Sequence, residues 1–470
     1  MTLPRRPDTE MVETADLLTV KWLHPAPERQ PVNLALHEVA ALLAEHNSTD
    51  RNRDGKLVLF QAIEPDHCQS LIEIAWQDGW TVGAIKEDMW HKAMPDFSQT
   101  IGTTLLISSA HRSYSPVSVN APVAALPARH NWSEDECAAI LFTSGSTGLP
   151  KGVCHSRGNM LRSAELFVRH CDLREHDHLL CLAPIHTASG FRALLMPRFT
   201  DARITLYQPA GDTFLKIINN IARSKPTAIL CGPVFIHQVA SYGMRLRESL
   251  RSVKILFSAG AALLQQDRDT IEACLPIKVW NIYGQTETAG IALADSAEYR
   301  STSNLPHPCS GVRVCLEPND AVSGTFRLHI ASPNLYLGYL GEPLCRRALH
   351  DTGDLVVPTA SGDLSLIGRA SNTFKAPSTE WLFPELLENW LKEQDYAEDA
   401  YVRGIPVHGG HGCEVWLDAS QPYSRPDIVA EIVARFGSDY KPVHWHDCRI
   451  VRTELGKISQ IQEQDNLQSI

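Results

Sequence analysis

Ten residues with the composition of an anion-binding loop follow a short apolar run. Residues 143–152 read T-S-G-S-T-G-L-P-K-G. The glycines allow the backbone to curve closely around a ligand, the hydroxyls and main-chain N–H groups can donate hydrogen bonds, and Lys151 adds a positive charge. We therefore predict a phosphate-binding loop. Its predicted binding residues are Thr143, Ser144, Gly145, Ser146, Thr147, Gly148 and Lys151.

Two alternative interpretations exist for this loop. A Walker loop requires a Gly-Lys-Ser/Thr tripeptide at a fixed distance from its first glycine, but Lys151 follows Pro150 and precedes Gly152. The Walker interpretation is therefore excluded. An ordinary surface loop rich in serine and glycine is the other alternative, and the fit of ten consecutive positions to one pattern argues against it.

A second segment whose residue types could bind a ligand lies at the end of a predicted strand. Residues 281–287 read N-I-Y-G-Q-T-E and combine an aromatic ring, a glycine, a hydroxyl and a carboxylate. Taken alone, this segment is equally typical of a turn that ends a strand and carries a capping threonine. The position of this segment after the first loop favours a ligand-binding role over an ordinary turn.

Together, the two segments resemble the adenylate-forming superfamily of acyl-CoA synthetases, aryl-acid ligases, luciferases and peptide-synthetase adenylation domains. The hallmarks of that superfamily are a T-S-G-S-T-G-x-P-K-G loop and a later Y-G-x-T-E motif. The resemblance implies ATP and Mg²⁺ as cofactors. It also implies that Tyr283 stacks on adenine and that Gly284 lets the acyl group approach closely. Thr286 would bind the α-phosphate and Glu287 would hold Mg²⁺.

Shorter motifs imply further nucleotide-binding residues. Residues 258–262 are small and would lie along the adenine ring, although the start of an alanine-rich helix is an equal alternative. Asp354, which ends the sequence D-T-G-D, would accept hydrogen bonds from both ribose hydroxyls. The nucleotide-binding residues implied outside the loop are Gly260, Ala261, Asn281, Tyr283, Gly284, Asp354 and Arg369.

The resemblance implies a catalytic role for two further residues besides Thr286. Lys457, in R-T-E-L-G-K-I, would bridge the substrate carboxylate and the α-phosphate, because two anions must approach each other before the bond forms. His186 lies where relatives place a histidine or an aromatic residue that gates the acyl tunnel. The alternatives are a solvated turn around Lys457 and a satisfied loop histidine at position 186.

The segment around His186 also bears on the choice of substrate. Family members that activate α-amino acids carry an aspartate that pairs with the ammonium group, and Thr187 stands at that position. A buried ammonium without a counter-charge would cost several kcal/mol. The expected substrate is therefore an uncharged fatty or aryl acid. The predicted pocket residues are Thr187, Phe191, Val234 and Phe235.

Two positions depart from the family pattern. Ser371 occupies the hinge, where most relatives carry aspartate or lysine. The K-x-x-G signature reads K-A-P-S, so Ser378 replaces the glycine that lets the arm of the thiol acceptor pass. The sequence therefore leaves open whether CoA or an acyl or peptidyl carrier protein accepts the acyl group.

The elements that must position these residues alternate along the chain. Strand-length apolar runs alternate with helical stretches, which is typical of an α/β protein with mainly parallel, helix-covered sheets and ligands at the carboxyl ends of the strands. Residues 1–30 are predicted to be an extended lead-in, and Leu36, Val39, Ala40 and Leu43 share one helical face. The other predicted helices are 66–78 and 159–170, and the predicted strands are 56–60, 81–85, 103–107, 178–182, 204–207, 227–231, 254–257 and 278–282.

The resemblance implies two domains. A large N-terminal AMP-binding domain would span residues 1–369, with its N-terminal part shortened. A small, mobile α+β lid domain would span residues 370–470, with a hinge near Ser371. The lid is predicted to contain helices at 383–392 and 425–436 and short strands at 414–417 and 449–451.

Composition and charge limit the partners, metal sites and cellular location that the sequence allows. The hydrophobic content of 44% over 470 residues is ample for a large core, and a net charge of −11 argues against a nucleic-acid partner. The twelve cysteines include no C-x-x-C pair, which predicts reduced, mostly buried thiols. The histidine groups at 408–411 and 444–446 lack partner ligands at a recognisable spacing. No apolar run approaches the ~18 residues of a membrane helix, and the N-terminus lacks a signal core, so a cytoplasmic location without a membrane partner is expected.

The predicted activity is that of an acid-thiol ligase. A small carboxylic acid would react with ATP to give acyl-AMP and pyrophosphate, and a thiol of CoA or of a carrier protein's phosphopantetheine would then displace AMP. The alternatives are a stand-alone enzyme that adenylates an amino acid and loads a carrier protein, an amide-forming ligase, and a non-catalytic nucleotide-binding protein.

Overall fold

The structure is a computed structural model, and it describes most of the chain. The described residues are 18–24, 32–49, 56–61, 65–85, 104–109, 117–119, 131–144, 150–208, 212–297, 305–453, 456 and 458–463. The chain divides into two compact units. Unit 1 comprises Met1–Thr213, Thr286–Gly290 and Asn334–Arg347, and unit 2 comprises Phe214–Gln285, Ile291–Pro333 and Ala348–Ile470.

Strands and helices alternate over much of the described chain. The strands are β1 (Leu18–His24), β2 (Val32–Leu34), β3 (Leu57–Gln61), β4 (Thr81–Ala84), β5 (Thr104–Ser109), β6 (Val117–Val119), β7 (Cys137–Ser144), β8 (Pro150–Ser156), β9 (His178–Cys181), β10 (Arg203–Leu206), β11 (Ala228–Cys231), β12 (Ile255–Ala259), β13 (Lys278–Tyr283), β14 (Leu293–Ala294), β15 (Arg313–Pro318), β16 (Phe326–Ala331), β17 (Gly338–Tyr339), β18 (His350–Pro358), β19 (Leu364–Arg369), β20 (Phe374–Lys375), β21 (Trp381–Leu382), β22 (Ala397–Val407), β23 (Gly410–Ala419), β24 (Pro442–Arg452) and β25 (Ile458–Glu463). The α-helices are α1 (Leu36–Thr49), α2 (Pro65–Gln77), α3 (Arg157–His170), α4 (Ala188–Leu195), α5 (Phe214–Ser224), α6 (Pro233–Tyr242), α7 (Gln265–Cys274), α8 (Pro384–Lys392) and α9 (Arg425–Phe436).

Unit 1 is built on an eight-stranded sheet of order β17-β8-β7-β4-β3-β5-β1-β2. Its centre is parallel, because β3 pairs with β4 and β5 and β4 pairs with β7. Residues 57–60 of β3 are all buried, which is typical of a parallel strand that is covered on both faces. Strand β8 returns antiparallel to β7, so the segment between them is the connection of a hairpin.

Helix α3 begins directly after this hairpin. Ser156 is its N-cap, and the Ser156 hydroxyl accepts a hydrogen bond from the main-chain N–H of Asn159 at 3.1 Å. Met160, Ala164 and Phe167 lie on its buried face, at the spacing expected of an amphipathic helix. The cap and the buried face together fix where the chain leaves β8.

Unit 2 combines a parallel and an antiparallel part. Strands β11, β12 and β13 pair in parallel, so their carboxyl ends lie at one edge, and β14 pairs antiparallel with β13. Strands β15, β16, β18 and β19 form a separate antiparallel sheet. This antiparallel sheet was not predicted from the sequence. Its edge strand β15 is mostly exposed, so it lacks the alternation of buried and exposed residues that would reveal it.

The C-terminal part of unit 2 has its own core. Strands β22 to β25 form a mixed sheet in chain order, and the buried side chains of α8 and α9 pack against its strands. Leu387 and Leu391 from α8 and Ile432 from α9 are fully buried there. The predicted α+β character of this region is confirmed, although β23 and β24 are longer than the predicted strands.

Most of the predicted elements are present with slightly different ends. The helix predicted around Leu36 and Leu43 is α1, and the strands predicted upstream and downstream of the phosphate loop correspond to described strands. The lead-in predicted for residues 1–30 contains a strand, β1, which pairs with β5. Eight of the twelve cysteines are buried, which agrees with the expectation that most of them are. Within the described residues, no helix is both long and apolar enough to cross a membrane.

Candidate functional site

A cavity of about 720 Å³ lies in unit 2 at the carboxyl edge of the parallel strands. The loops after β11, β12 and β13 supply part of its wall, which is the position where parallel sheets bind ligands. The nucleotide-binding residues that the resemblance implies outside the phosphate loop all line this cavity. They are Gly260, Ala261, Asn281, Tyr283, Gly284, Asp354 and Arg369, together with the predicted pocket residue Val234.

Asp354 is the centre of a hydrogen-bonded group in this wall. Its side chain is buried, the Arg369 Nε atom lies 2.8 Å from Oδ1, and the Tyr283 hydroxyl donates to Oδ2 at 2.5 Å. Burial raises the pKa of the Asp354 carboxyl, and the Arg369 charge opposes that rise. Burial and the nearby Asp354 charge also raise the pKa of Tyr283, so its hydroxyl keeps its proton and remains a donor.

Gln285 was not predicted as a site residue, yet it belongs to the same group. The Gln285 amide donates to Asp354 Oδ2 at 3.1 Å and to the Thr352 carbonyl at 2.8 Å. Its carbonyl accepts from His350 Nε2 at 2.9 Å, which defines the orientation of the amide. The motif position that the family pattern leaves variable is therefore a structural link between β18 and the end of β13.

The loop after β12 leaves room for a flat ligand. Gly260 has a φ of +107°, which side-chain-bearing residues rarely adopt, and it follows directly on β12. No helix starts there, since α7 begins only at Gln265. The alternative of an alanine-rich helix start at residues 258–262 is therefore wrong.

A buried ion pair that does not line the cavity holds strand β13 in place. Asp295 is fully buried, forms an ion pair with Arg268 and accepts the main-chain N–H of Asn281 at 2.7 Å. Arg268 also donates to the Val279 carbonyl at 3.1 Å. These contacts hold the strand that carries Asn281 and Tyr283 without reaching the cavity. No local sequence pattern would have revealed these contacts.

The lysine predicted for catalysis, Lys457, lies outside the described residues. Arg452, which precedes the loop of Lys457, lines the cavity described above. The Arg452 Nη1 atom donates to the Gly456 carbonyl at 2.8 Å, while Nε and Nη2 donate to the Asp399 carboxylate at 2.5 and 3.0 Å. Arg452 therefore ties both ends of the loop to strand β22.

The phosphate loop itself is only partly described. Thr143 and Lys151 pair across the β7–β8 hairpin, and Ser144 pairs with Pro150. The predicted binding residues Gly145, Ser146, Thr147 and Gly148 lie outside the described residues, as does the side chain of Ser144. The Lys151 ammonium lies 5.4 Å from the centre of the Tyr339 ring.

The predicted residues Thr286 and Glu287 belong to unit 1, in a short segment that is held on several sides. The Thr286 carbonyl accepts from His155 Nε2 at 2.9 Å, and the Ala289 carbonyl accepts from the Ser163 hydroxyl at 2.7 Å. The Glu287 Oε1 atom accepts from the Tyr339 hydroxyl at 2.9 Å. Burial lowers the pKa of His155 to about 4, so its ring is neutral near pH 7 and donates through Nε2.

The residues predicted to line an acyl pocket are divided between the two units. In unit 1, Thr187 caps helix α4: its hydroxyl donates to the Pro184 carbonyl at 2.7 Å and accepts from the Gly190 N–H at 3.2 Å. His186 precedes this cap, and Phe191 is fully buried in the unit 1 core.

In unit 2, Val234 lines the cavity but Phe235 does not, because successive residues of α6 point in different directions. Phe235 packs on Phe214 with ring centres 5.6 Å apart. His237 and Gln238, which the sequence did not suggest, lie on the cavity side of the same helix. The His237 Nδ1 atom contacts the Asp267 carboxylate at 3.1 Å, and this hydrogen bond raises the pKa of His237.

Comparison with known proteins identifies the family to which this chain belongs. The family of AMP-binding enzymes matches residues 40–340, well over half of the chain, and this chain belongs to that family. The sequence identity to individual relatives is low. A 2-succinylbenzoate–CoA ligase of Bacillus pumilus is 26% identical over 282 residues, covering 58% of this chain and 56% of the relative.

Two further relatives widen the comparison. An L-proline–[L-prolyl-carrier protein] ligase of Pseudomonas fluorescens is 25% identical over 251 residues, covering 51% of this chain and 50% of the relative. The chain thus spans only about half the length of these curated relatives. The solved structure of o-succinylbenzoate CoA synthetase from Bacillus subtilis with ATP and magnesium has a TM-score of 0.69 at 18% identity, covering 92% of this chain and 94% of that one. That likeness shows a shared fold.

Proposed function

We propose that this protein activates a carboxylic acid with ATP, releasing pyrophosphate, and transfers the acyl group from acyl-AMP to a thiol. The observation that carries the proposal is the Asp354 group, in which a buried carboxylate, an arginine and a tyrosine surround one cavity. The volume of about 720 Å³ is in the range of small-molecule sites. Relatives by sequence include CoA ligases and a carrier-protein ligase, which supports the same reaction class.

The cavity has the groups that an adenosine moiety requires. The Gly260–Ala261 backbone offers a flat surface without bulky side chains, and the Tyr283 ring offers a stacking face. Asp354 is held by three donors, from Arg369, Tyr283 and Gln285, and a carboxylate has about four acceptor positions, so Oδ1 can still accept a hydrogen bond from a ribose hydroxyl. Arg369 supplies a positive charge beside them.

Unit 1 has residues suited to the phosphates and the metal. Glu287 offers one carboxylate, and Mg²⁺ is commonly held by one or two carboxylates together with substrate phosphates and water. The described residues contain no cluster of three or more acidic, histidine or cysteine groups that could hold a metal alone, which is consistent with a metal that arrives with ATP. When bound, Mg²⁺ neutralises phosphate charge, and Lys151 and Thr286 would contribute to the same binding.

Catalysis in this proposal depends on orientation and charge. The carboxylate of the acid attacks the α-phosphorus, the bond to the bridging oxygen of pyrophosphate breaks, and pyrophosphate leaves with the electron pair. Both reacting groups are anionic, so Lys457, the cation that the family resemblance implies for this step, would lower the electrostatic barrier. In the second step, the thiol sulfur attacks the acyl carbon, AMP leaves and the thiol loses its proton.

The proposed substrate lacks an α-ammonium group. The supporting observation is that Thr187, at the position of the family's aspartate, is neutral and both donates and accepts hydrogen bonds at the start of α4. His237 adds a polar group to the cavity wall beside Val234, so hydroxylated or otherwise polar acids join the expected fatty and aryl acids.

The proposed domain division places the lid at residues 370–470 with a hinge near Ser371. The acceptor remains CoA or a carrier protein. The Ser378 hydroxyl, at the position of the family's glycine, donates to Asp439 at 2.7 Å. The positive φ of this turn falls on the next residue, Thr379, at +79°.

A pyrophosphate-release screen tests the function. The purified protein receives MgATP with short, medium-chain, aryl and hydroxyaryl acids and with the twenty amino acids, and active acids are then tested with CoA and with a phosphopantetheinylated carrier protein. We expect acid-dependent pyrophosphate release that Asp354→Ala abolishes. Release with an α-amino acid alone would favour amino-acid adenylation. No release with any acid, despite ATP binding, would favour a non-catalytic nucleotide-binding protein.

A further inference from the structure

We propose that Tyr339 is a positioning residue that organises Lys151 and Glu287 for the binding of metal-bound phosphate. This inference rests on the proposed function. Tyr339 contacts both residues: its hydroxyl donates to Glu287 Oε1 at 2.9 Å, and its ring lies 5.4 Å from the Lys151 ammonium. All three residues belong to unit 1.

The backbone of Tyr339 is anchored on the strand that follows the phosphate loop. Strand β17 pairs antiparallel with β8, with Tyr339 opposite Val153. On either side of this pair, the Leu340 N–H donates to the Gly152 carbonyl and the Leu337 N–H donates to the Cys154 carbonyl, each at 2.8 Å. Lys151 and Val153 are two residues apart on β8, so their side chains share a face. The ring of Tyr339 therefore stands diagonally across from Lys151.

The same chain segment also holds the backbone of Glu287. The Tyr336 N–H donates to the Glu287 carbonyl at 2.8 Å, while Tyr339 binds the carboxylate of the same residue. Main chain and side chain of Glu287 are thus fixed by residues only three positions apart. A carboxylate held at Oε1 has one orientation, which leaves Oε2 for a cation.

A tyrosine is suited to this role because it is a neutral donor. A lysine or arginine at position 339 would form an ion pair with Glu287 and cancel the charge that a divalent cation needs. A tyrosine hydroxyl has an ordinary pKa of about 10, so it stays protonated near neutral pH. The electron-rich face of the ring attracts the Lys151 ammonium without neutralising it.

The test separates the hydroxyl from the ring. Tyr339→Phe removes the donor to Glu287 and keeps the ring under Lys151, whereas Tyr339→Leu removes both. Tyr207→Phe is the matched control, because the buried Tyr207 of the same unit also donates to a carboxylate, that of Asp212. Thermal unfolding by circular dichroism verifies that each variant is folded.

Binding measurements report the role without relying on turnover. Calorimetry gives the affinity for ATP without metal, and electron paramagnetic resonance of Mn²⁺ gives the affinity for metal in the presence of ATP. We expect Tyr339→Phe to weaken Mn²⁺ binding roughly tenfold, since hydrogen bonds to charged groups are strong, with metal-free ATP binding unchanged. Tyr339→Leu should weaken both, and Tyr207→Phe neither.

The outcomes distinguish this inference from the proposed function. Wild-type Mn²⁺ affinity in folded Tyr339→Phe, measured on a protein whose wild type binds ATP and Mn²⁺, would overturn the role of Tyr339 alone. An equal loss in Tyr207→Phe would show a general packing effect and would also overturn it. A wild-type protein that binds no ATP would overturn the proposed function and this role with it.

Discussion

The Tyr283 hydroxyl and the Asp354 carboxylate, 2.5 Å apart, join the end of the parallel strand β13 to the antiparallel strand β18. A ligand that touches either residue therefore meets a surface that both sheets determine. The Asp354 carboxylate is held in one orientation, because Gln285 and Arg369 also contact it. We infer that the cavity wall is preorganised before a nucleotide binds.

This link makes Tyr283→Phe a sharp test of preorganisation. The ring that would stack on adenine remains, but the donor to Asp354 is lost, so we expect ATP affinity to fall by about tenfold. Calorimetry with ATP measures the change. Tyr423→Phe is the control, because Tyr423 donates to Asp447 in the same unit but lies outside the cavity. Unchanged ATP affinity in Tyr283→Phe would show that the hydrogen bond does not shape the site.

The buried ion pair behind β13 leads to a prediction about stability. Asp295→Asn keeps the size of the side chain but leaves the charge of Arg268 buried without its partner. Breaking such a pair commonly costs about 3–5 kcal/mol, so a marked loss in the free energy of unfolding is expected. Urea unfolding measures it. Asp172→Asn, which breaks an exposed pair with Arg174, should change little. Similar effects from the two variants would contradict the assigned role of Asp295.

His237 leads to a prediction about the pH dependence of stability. Its pKa is raised first by the hydrogen bond to Asp267 and further by the charges of Asp267, Glu398 and Asp399. A raised pKa means that the folded protein favours the protonated ring. The resulting stabilisation is fully present below the unfolded value of about 6.5 and disappears as the pH rises through the folded pKa.

Thermal unfolding of the wild type and of His237→Gln from pH 5 to pH 9 measures this effect. The difference in melting temperature should be largest at the acidic end and should shrink above neutral pH. Gln238→Ala, which alters a neighbouring residue of the same wall without a titratable group, should show a difference that does not vary with pH. A His237→Gln difference that grows with pH would refute the assigned sign.

The sequence predicted the parts of the site that are local in the chain. The segment around Tyr283 is a continuous motif, and buried parallel strands such as β3 have a strong apolar signal. The phosphate loop is a continuous motif too, and its binding role stays a prediction. Asp295 and Tyr339 could not be predicted in this way. Asp295 follows a two-residue strand and Tyr339 lies in another, and each acquires its role through partners that are distant in sequence, Arg268 and Glu287.

Lys457 is the residue that the family resemblance places in the adenylation step, and its substitution separates the two half-reactions. Lys457→Ala should reduce acyl-AMP formation by roughly 100-fold, because the loss of a preorganised charge at such a site commonly costs about 3 kcal/mol. Thioester formation from chemically supplied acyl-AMP should be affected much less. Equal losses in the two assays would remove Lys457 from the first step.

Substitution of Arg452 should also slow acyl-AMP formation, although Arg452 is a positioning residue and not a catalytic one. Its guanidinium joins the Asp399 carboxylate to the Gly456 carbonyl, so its loss frees the loop that continues to Lys457. We expect Arg452→Met to slow acyl-AMP formation more than thioester formation, and Arg452→Lys to recover little, because a lysine cannot reproduce the forked contacts. Arg403→Met is the control, since Arg403 pairs with Glu414 in the same sheet and lies on the more exposed side. If Arg403→Met and Arg452→Met slow both half-reactions alike, the effect is a loss of stability of the sheet of β22 to β25, and the positioning role of Arg452 is refuted.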